Sequence, residues 1–360
     1  MKRELIIIPK IKIHPSRIIT YNEIHWYPSP PSRKNSYRQN TTLIQKVVDG
    51  KIELIRVNTK FLNSTRVSDG ELSKPAKKKL KLSIEYLLLL NKPQNGKSGN
   101  TGRHYNNTIS FITLTLPSKQ IHDDNIIKSK CLNQFLIELH KYHGISNYVW
   151  RSERQKNGNL HFHILINRFI PYNDIRVRWN RIVDKLGYVT RYAVEQQEFH
   201  KDGFRLRKEL IEKWSGVKQF EAYERGRKSE WKQPNSTDIH SIKNITNIKA
   251  YITKYMSKSD QTHATPNPLE ESENHQTGRI WGASIILSNI QGATTEIDSK
   301  IAEHLKNIEE HFSTHIFRQE YFTIIDITLD DLHKLKCKEL ELIFFSYAFK
   351  ALGFSYQFET

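Results

Sequence analysis

The run Leu160-His161-Phe162-His163-Ile164-Leu165-Ile166 sets two imidazoles two residues apart in an apolar segment. In a strand, successive side chains alternate faces, so His161 and His163 share one face and Phe162, Ile164 and Ile166 the other. Two imidazoles on one side of such a strand are costly unless they meet water or a ligand, and two at this spacing are half a metal site. Glu153 lies upstream, across Asn157-Gly158, a hairpin signal. A two-residue Asn157-Gly158 turn sets Glu153 opposite Phe162, on the wrong face. A three-residue loop Asn157-Gly158-Asn159 sets it directly opposite His163, on the histidine face. In that register Glu153, His161 and His163 form a candidate site for a divalent ion with open positions. Mg²⁺ or Mn²⁺ suits it if phosphate supplies further ligands, and zinc is also compatible.

A second chemical segment is Lys249-Ala250-Tyr251-Ile252-Thr253-Lys254-Tyr255-Met256-Ser257-Lys258. On a helix, Tyr251, Lys254, Tyr255 and Lys258 fall within an arc of about 100°. Ile242, Ile245, Ile252 and Met256 fall on a separate arc, so the helix has an apolar stripe without its tyrosines. A phenol beside ammonium groups ionises more easily, and a phenolate is a nucleophile. In Phe111–Leu116, Thr113 and Thr115 share a face where hydroxyls line a polar site or contact phosphate; β propensity accounts for them equally well.

The elements that must position these residues follow from periodicity. Thr108–Leu116 reads as a strand and Asp123–His143 as a helix closed by Gly144. Tyr148–Arg154 and Leu160–Asn167 read as a hairpin, Asp174–Leu186 as a helix stopped by Gly187, Tyr188–Glu195 as a strand and Ser241–Lys258 as a helix. Strands alternating with helices, with a hairpin among them, predict an α+β fold on an antiparallel sheet. Upstream, residues 74–90 read as a helix with a basic start, either a solvated face or a DNA contact. Residues 91–107 read as a loop. Gly96-Lys97-Ser98 lacks the glycine a phosphate loop needs five positions earlier, where Asn91 stands, so an NTPase is excluded. Residues 1–72 show short apolar runs such as Leu5–Ile13 and Ile52–Val57, with no function assigned.

Charge narrows the partner. The 360 residues carry 56 Lys/Arg against 38 Asp/Glu, a net +18, which points to phosphates. Residues 176–258 hold 19 Lys/Arg against 10 Asp/Glu, a net +9. Within them, 200–235 interleaves aromatics (Phe204, Trp214, Phe220, Tyr223, Trp231) with cations that include Arg225, Arg227 and Lys228. Bases stack on such aromatics while cations meet phosphates, so this is a single-strand contact surface or else an insertion packing its own small core. Two cysteines, Cys131 and Cys337, exclude a disulfide framework and a cysteine-rich zinc site. No run of about 18 apolar residues spans a membrane, and the apolar run Leu5–Ile8 is too short for a signal peptide, so the expected location is cytoplasmic.

Taken in order, Phe111-Ile112-Thr113-Leu114-Thr115, His161-Phe162-His163 and Tyr251-Ile252-Thr253-Lys254-Tyr255 resemble the three motifs of HUH endonucleases, the rolling-circle replication initiators. The tyrosines follow the histidines, as in initiators and some transposases, whereas relaxases carry them ahead. Two tyrosines four apart with an intervening lysine look most like the initiators of single-stranded DNA phages and plasmids. The resemblance implies a palm of RRM or ferredoxin type, with a central antiparallel sheet, helices on one face and additions at both ends. It implies a metal-dependent nickase and ligase acting on single-stranded or hairpin DNA at an origin through a 5′-phosphotyrosine. Glu153, His161 and His163 would hold the metal, Tyr251 and Tyr255 would act as nucleophiles and Lys254 would offset charge. Thr113, Thr115, Lys258, Arg225, Arg227 and Lys228 are the expected DNA contacts, and a host helicase and polymerase the expected partners. The alternatives are a two-tyrosine transposase and a non-catalytic nucleic-acid-binding regulator. The expected division is an N-terminal region 1–100, a nicking domain 108–290 with the insertion at 200–235, and a C-terminal α/β extension 295–360.

Overall fold

The structure is a computed structural model that describes residues 4–27, 41–48, 51–58, 67–68, 70–89, 94–97, 104–107, 109–241 and 275–351. It divides into two units, Phe61–Ser284, and Met1–Lys60 together with Ile285–Thr360.

The Phe61–Ser284 unit is built on five antiparallel strands: β1 (Ser110–Thr115), β2 (Tyr148–Arg154), β3 (Leu160–Ile166), β4 (Thr237–Ser241) and β5 (Trp281–Ala283). Their order is β4-β1-β3-β2-β5, so the histidine strand β3 is central. Its helices are α1 (Lys74–Leu89), α2 (Asn133–His143), α3 (Tyr172–Asp184), α4 (Tyr188–Phe199) and α5 (Gly216–Lys228). Alternation puts Ile112, Leu114, Phe162, Ile164 and Ile166 on one face, where they share a core with Phe135, Leu139, Trp179 and Val183 of α2 and α3. Each such side chain contributes about 1.5–3 kcal/mol on full burial, so this face fixes the sheet. The Trp179 indole also donates to the Thr115 carbonyl at 2.7 Å, tying α3 to β1. This is the α+β palm that the sequence implies.

Helix α1 packs against β2 and β5. Its buried Leu80, Ile84, Tyr86 and Leu87 lie outside the core of the helical face. Ahead of α2, Asp123 caps the turn Asp124–Ile126, which runs through π-helical Ile127–Leu132 into α2. Gly144, at φ 65, ends the helix in the left-handed conformation glycine adopts without cost.

Three readings of local structure change. Residues 188–195 are helical, not a strand. Asp184 accepts from the Thr190 backbone N–H at 2.8 Å, and Tyr188, Val189 and Ala193 bury one side of the new helix, so packing overrides β propensity. The 91–107 loop contains a paired ribbon, Gln94–Lys97 with His104–Asn107, since backbone pairing needs no apolar face to close a short hairpin. Ser241, read as the start of the tyrosine helix, is instead the last residue of β4, where it pairs with Ser110.

The second unit joins both ends of the chain in one five-stranded antiparallel sheet. Its order is Ala293–Glu296, Glu4–His14, Arg17–Tyr27, Phe322–Ile325, Ile316–Arg318. Ile11, Ile13, Ile18, Ile301, Ile325 and Phe344 are buried there, and helix Lys338–Ala351 packs on the sheet. Among the described residues no helix is long and apolar enough to cross a membrane.

Candidate functional site

The turn between β2 and β3 decides which side chains meet. The Gly158 N–H donates to the Gln155 carbonyl at 2.8 Å, the Gln155 N–H donates to the Asn159 carbonyl at 2.9 Å, and Gly158 has φ 80. A three-residue hairpin loop ends on its left-handed residue, so the loop is Lys156-Asn157-Gly158, one residue earlier than expected. Glu153 therefore stands directly opposite His161, and Arg151 opposite His163. The expected pairing of Glu153 with His163 is corrected by two residues along the strand. A shift of two preserves the face, so Glu153 remains among the histidines.

Two rows cross the sheet on this face. One runs Thr115, His161, Glu153; the other runs Asp238, Thr113, His163, Arg151, Trp281. His163 Nε2 lies 3.4 Å from Glu153 Oε2, and these side chains are 15% and 22% exposed. The other Glu153 oxygen, Oε1, lies 3.6 Å from the guanidinium of Arg151, which is 1% exposed. Thr113 Oγ1 lies 3.5 Å from His163 Nδ1, and the Thr115 hydroxyl donates to the Ser236 carbonyl at 2.9 Å. The rings of His161 and His163 are 4.4 Å apart and nearly perpendicular. Phe111, Leu165 and Val149 close one end of the face, and the half-buried Thr115, His161 and Glu153 leave the other accessible.

Burial, reinforced by His163 and partly offset by Glu153, pushes the His161 pKa down to about 4. Burial alone would raise the Glu153 carboxyl. The His163 contact and the charges of His163, Arg151 and His161 outweigh it and hold the group below its ordinary range. The site thus presents a neutral imidazole beside an ionised carboxylate.

The donors fit a divalent ion in chemical type. At 3.4 Å, His163 Nε2 and Glu153 Oε2 are close to the roughly 3 Å that separates adjacent ligands in an octahedral shell. His161 Nδ1 is buried with no hydrogen-bond partner. Among the described residues, however, no three His, Cys, Asp or Glu side chains converge into a metal-holding group, so His161 stands beside the pair without completing it.

Tyr251, Lys254, Tyr255 and Lys258 lie outside the described residues. Arg225, Arg227 and Lys228 are exposed on α5, where Arg225 pairs with Glu221 and Arg227 with Glu224. Sequence reasoning missed Arg151 and Asp238. Arg151 stands two residues before Glu153 on one strand, so alternation alone places it on the histidine face. Asp238 lies in a five-residue strand too short to stand out. A cleft of about 620 Å³ at the hairpin end, lined by His122, Asp124, Arg154 and Thr277 among others, contains none of the predicted site residues.

Residues 109–260 match the family model of the ORF2 type of replication-associated protein. The matched segment takes in β1, β2, β3, β4 and both tyrosines. The match supports a role in replication initiation. No curated protein and no solved structure is significantly similar to the chain.

Proposed function

We propose that this chain is a site-specific single-stranded DNA endonuclease and strand transferase that initiates rolling-circle replication. The observation that carries the reading is the central palm strand, which sets His161 and His163 on one face with Glu153 in contact. It is supported by the replication-associated match over the segment that contains this strand.

Glu153, His161 and His163 would hold a divalent ion, whose charge draws electron density from a phosphate oxygen when bound. Tyr251 is the first nucleophile. Its phenolic oxygen forms the bond to phosphorus as the bond to the 3′ oxygen breaks, and a proton passes to that oxygen to give a free 3′-OH. The 5′-phosphotyrosine conserves the phosphodiester energy, so rejoining needs no ATP. Lys254 offsets phosphate charge, and Tyr255 takes the second transfer after one round of synthesis. Thr113, hydrogen-bonded towards His163, steadies that ring, while Thr115 is engaged with the backbone of Ser236.

The test is incubation with single-stranded DNA from the chain's own replicon, with Mn²⁺ or with EDTA. A covalent protein–DNA band that requires Mn²⁺ is the expected result. Binding without any adduct under either condition would replace the enzyme with a nucleic-acid-binding regulator.

A further inference from the structure

The insertion carrying α5 does pack a small core of its own. Trp231 stacks on His200 with centroids 5.9 Å apart, and His200 stacks on Phe204 at 6.3 Å, which makes a three-ring ladder. Tyr223 leans on both His200 and Trp231. The ladder is held firmly. Glu230 and Trp231 both adopt positive φ, 51 and 54, a conformation that costs a non-glycine residue roughly 1–2 kcal/mol. That bend swings the indole onto α5 at Gly226, where a Cβ would meet Trp231 Nε1 at 2.3 Å.

That core leaves two rings over. Phe220 meets Phe204 edge to face at 5.2 Å, yet the two side chains remain 48% and 38% exposed. Arg227, seven residues after Phe220, lies on the same stripe of α5 because seven residues are nearly two turns. Arg205 adjoins Phe204, exposed, with its guanidinium 5.1 Å from the Phe199 ring. Residues 199–232 carry 10 Lys/Arg against 6 Asp/Glu. Exposed rings on a rigid support, rimmed by cations, suit a strand with unpaired bases and phosphates.

We infer that Phe204 and Phe220 form a stacking platform for an unpaired base of single-stranded DNA, with Arg227 and Arg205 meeting the flanking phosphates. The inference rests on the reading of the chain as a single-strand enzyme and names where on it the strand is held away from the histidine face.

Binding of a fluorescent oligonucleotide to the full chain in EDTA, where no cutting occurs, tests it independently of nicking. Phe220→Leu keeps apolar volume and removes the ring. It should weaken binding at least about 5-fold, the low end for one stacked base, and leave the salt slope unchanged. Phe220→Trp should bind at least as well as the native chain, which controls for folding. Arg227→Gln should instead flatten the salt slope by about one counterion. On an abasic strand the native chain and Phe220→Leu should bind equally. The platform is overturned if Phe220→Leu weakens abasic and base-containing strands by the same factor, if it weakens neither, or if a duplex of the same sequence responds as the single strand does. Nicking retained with any of these outcomes removes the platform and leaves the enzyme; nicking absent with stacking present removes the enzyme and leaves the platform.

Discussion

Asn159, 1% exposed at the foot of the histidine hairpin, clasps that hairpin to the segment after β1. Its Oδ1 accepts from the Gln120 N–H at 2.7 Å, and its Nδ2 donates to the Ser118 carbonyl at 2.9 Å. Gln120 reciprocates by accepting from the Leu160 N–H at 2.8 Å, at the first residue of the histidine strand. Asn159→Ala removes two hydrogen bonds and strands a donor and an acceptor in a buried place. At about 1 kcal/mol for each bond and more for each orphan, the expected cost is roughly 2–4 kcal/mol. Trp150, Trp179, Trp214, Trp231 and Trp281 fall within Phe61–Ser284, so tryptophan fluorescence in urea follows this unit. With an m-value of roughly 2–3 kcal/mol/M, the midpoint should fall by about 1 M at unchanged m.

Asn159→Asp sharpens the test because it keeps the shape and the bond from Gln120. At pH 7 it sets a carboxylate oxygen against the Ser118 carbonyl, which destabilises the charged form and raises the folded-state pKa above the unfolded value. Its deficit should therefore appear as pH rises through that folded pKa and shrink in acid, where a protonated carboxyl can donate to Ser118. If Asn159→Ala stays within about 0.5 kcal/mol of the native chain, the scale of an ordinary surface change, the clasp is not structural. If Asn159→Asp loses the same stability at pH 5 as at pH 7, the hydrogen-bond assignment is wrong.

Four further outcomes are expected. His161→Ala or His163→Ala should lower nicking by at least about 100-fold while single-strand binding persists, read as covalent adduct against band shift; normal nicking by either variant in EDTA removes the site. Tyr251→Phe should stop adduct formation on a simple oligonucleotide, while Tyr255→Phe should form the adduct and fail to release a closed circle; peptide mapping that finds DNA on Tyr255 alone reverses the roles. Charge-neutral replacement of Arg225, Arg227 and Lys228 together should weaken DNA binding and flatten its salt dependence. Burial alone would raise Glu138, but its bond from Arg181 and the Arg181 and Arg178 charges outweigh that and hold it below the ordinary 4.5. Because both guanidinium partners reach solvent, Glu138→Gln should cost only about 1–2 kcal/mol at neutral pH, and the deficit should fade below pH 4.5 as the native carboxylate protonates.

The palm was legible because its strands alternate cleanly. Phe162, Ile164 and Ile166 against His161 and His163 fix two faces from spacing alone, and all three apolar residues are fully buried. Helix α4 was not legible. Tyr188, Val189, Thr190 and Tyr192 carry β propensity, and only the Asp184 cap and packing on α3 turn them helical. The terminal strands are individually readable, but Lys10–Ile13 pairs with Ala293–Glu296 across nearly the whole chain, and local sequence encodes no such partner. The 200–235 stretch was ambiguous because the same rings serve both readings: His200, Tyr223 and Trp231 are spent on packing, while Phe204 and Phe220 are left outside.

The hairpin shows why a face is easier to read than a contact. Side chains repeat every two residues, so any even slip returns Glu153 to the histidine face, and only an odd slip removes it. The register that forms is set by where Gly158 must sit in its loop, and it brings to that face a residue the spacing argument did not weigh. Opposite His163 stands Arg151, buried, with its guanidinium on one carboxylate oxygen of Glu153 while His163 lies against the other. At 3.6 Å and an effective dielectric near 20, that attraction is of order 4–5 kcal/mol before desolvation is subtracted, enough to keep the carboxylate ionised despite burial. In the expected register Glu153 would have faced His163 directly. In the register that forms it crosses diagonally to His163 from a position opposite His161, so one carboxylate touches both rows of the face and is held in charge by a cation beneath it. A carboxylate fixed in this way is ready to share a cation with His163, and His161, neutral and with its Nδ1 unpartnered, is the group left to join them.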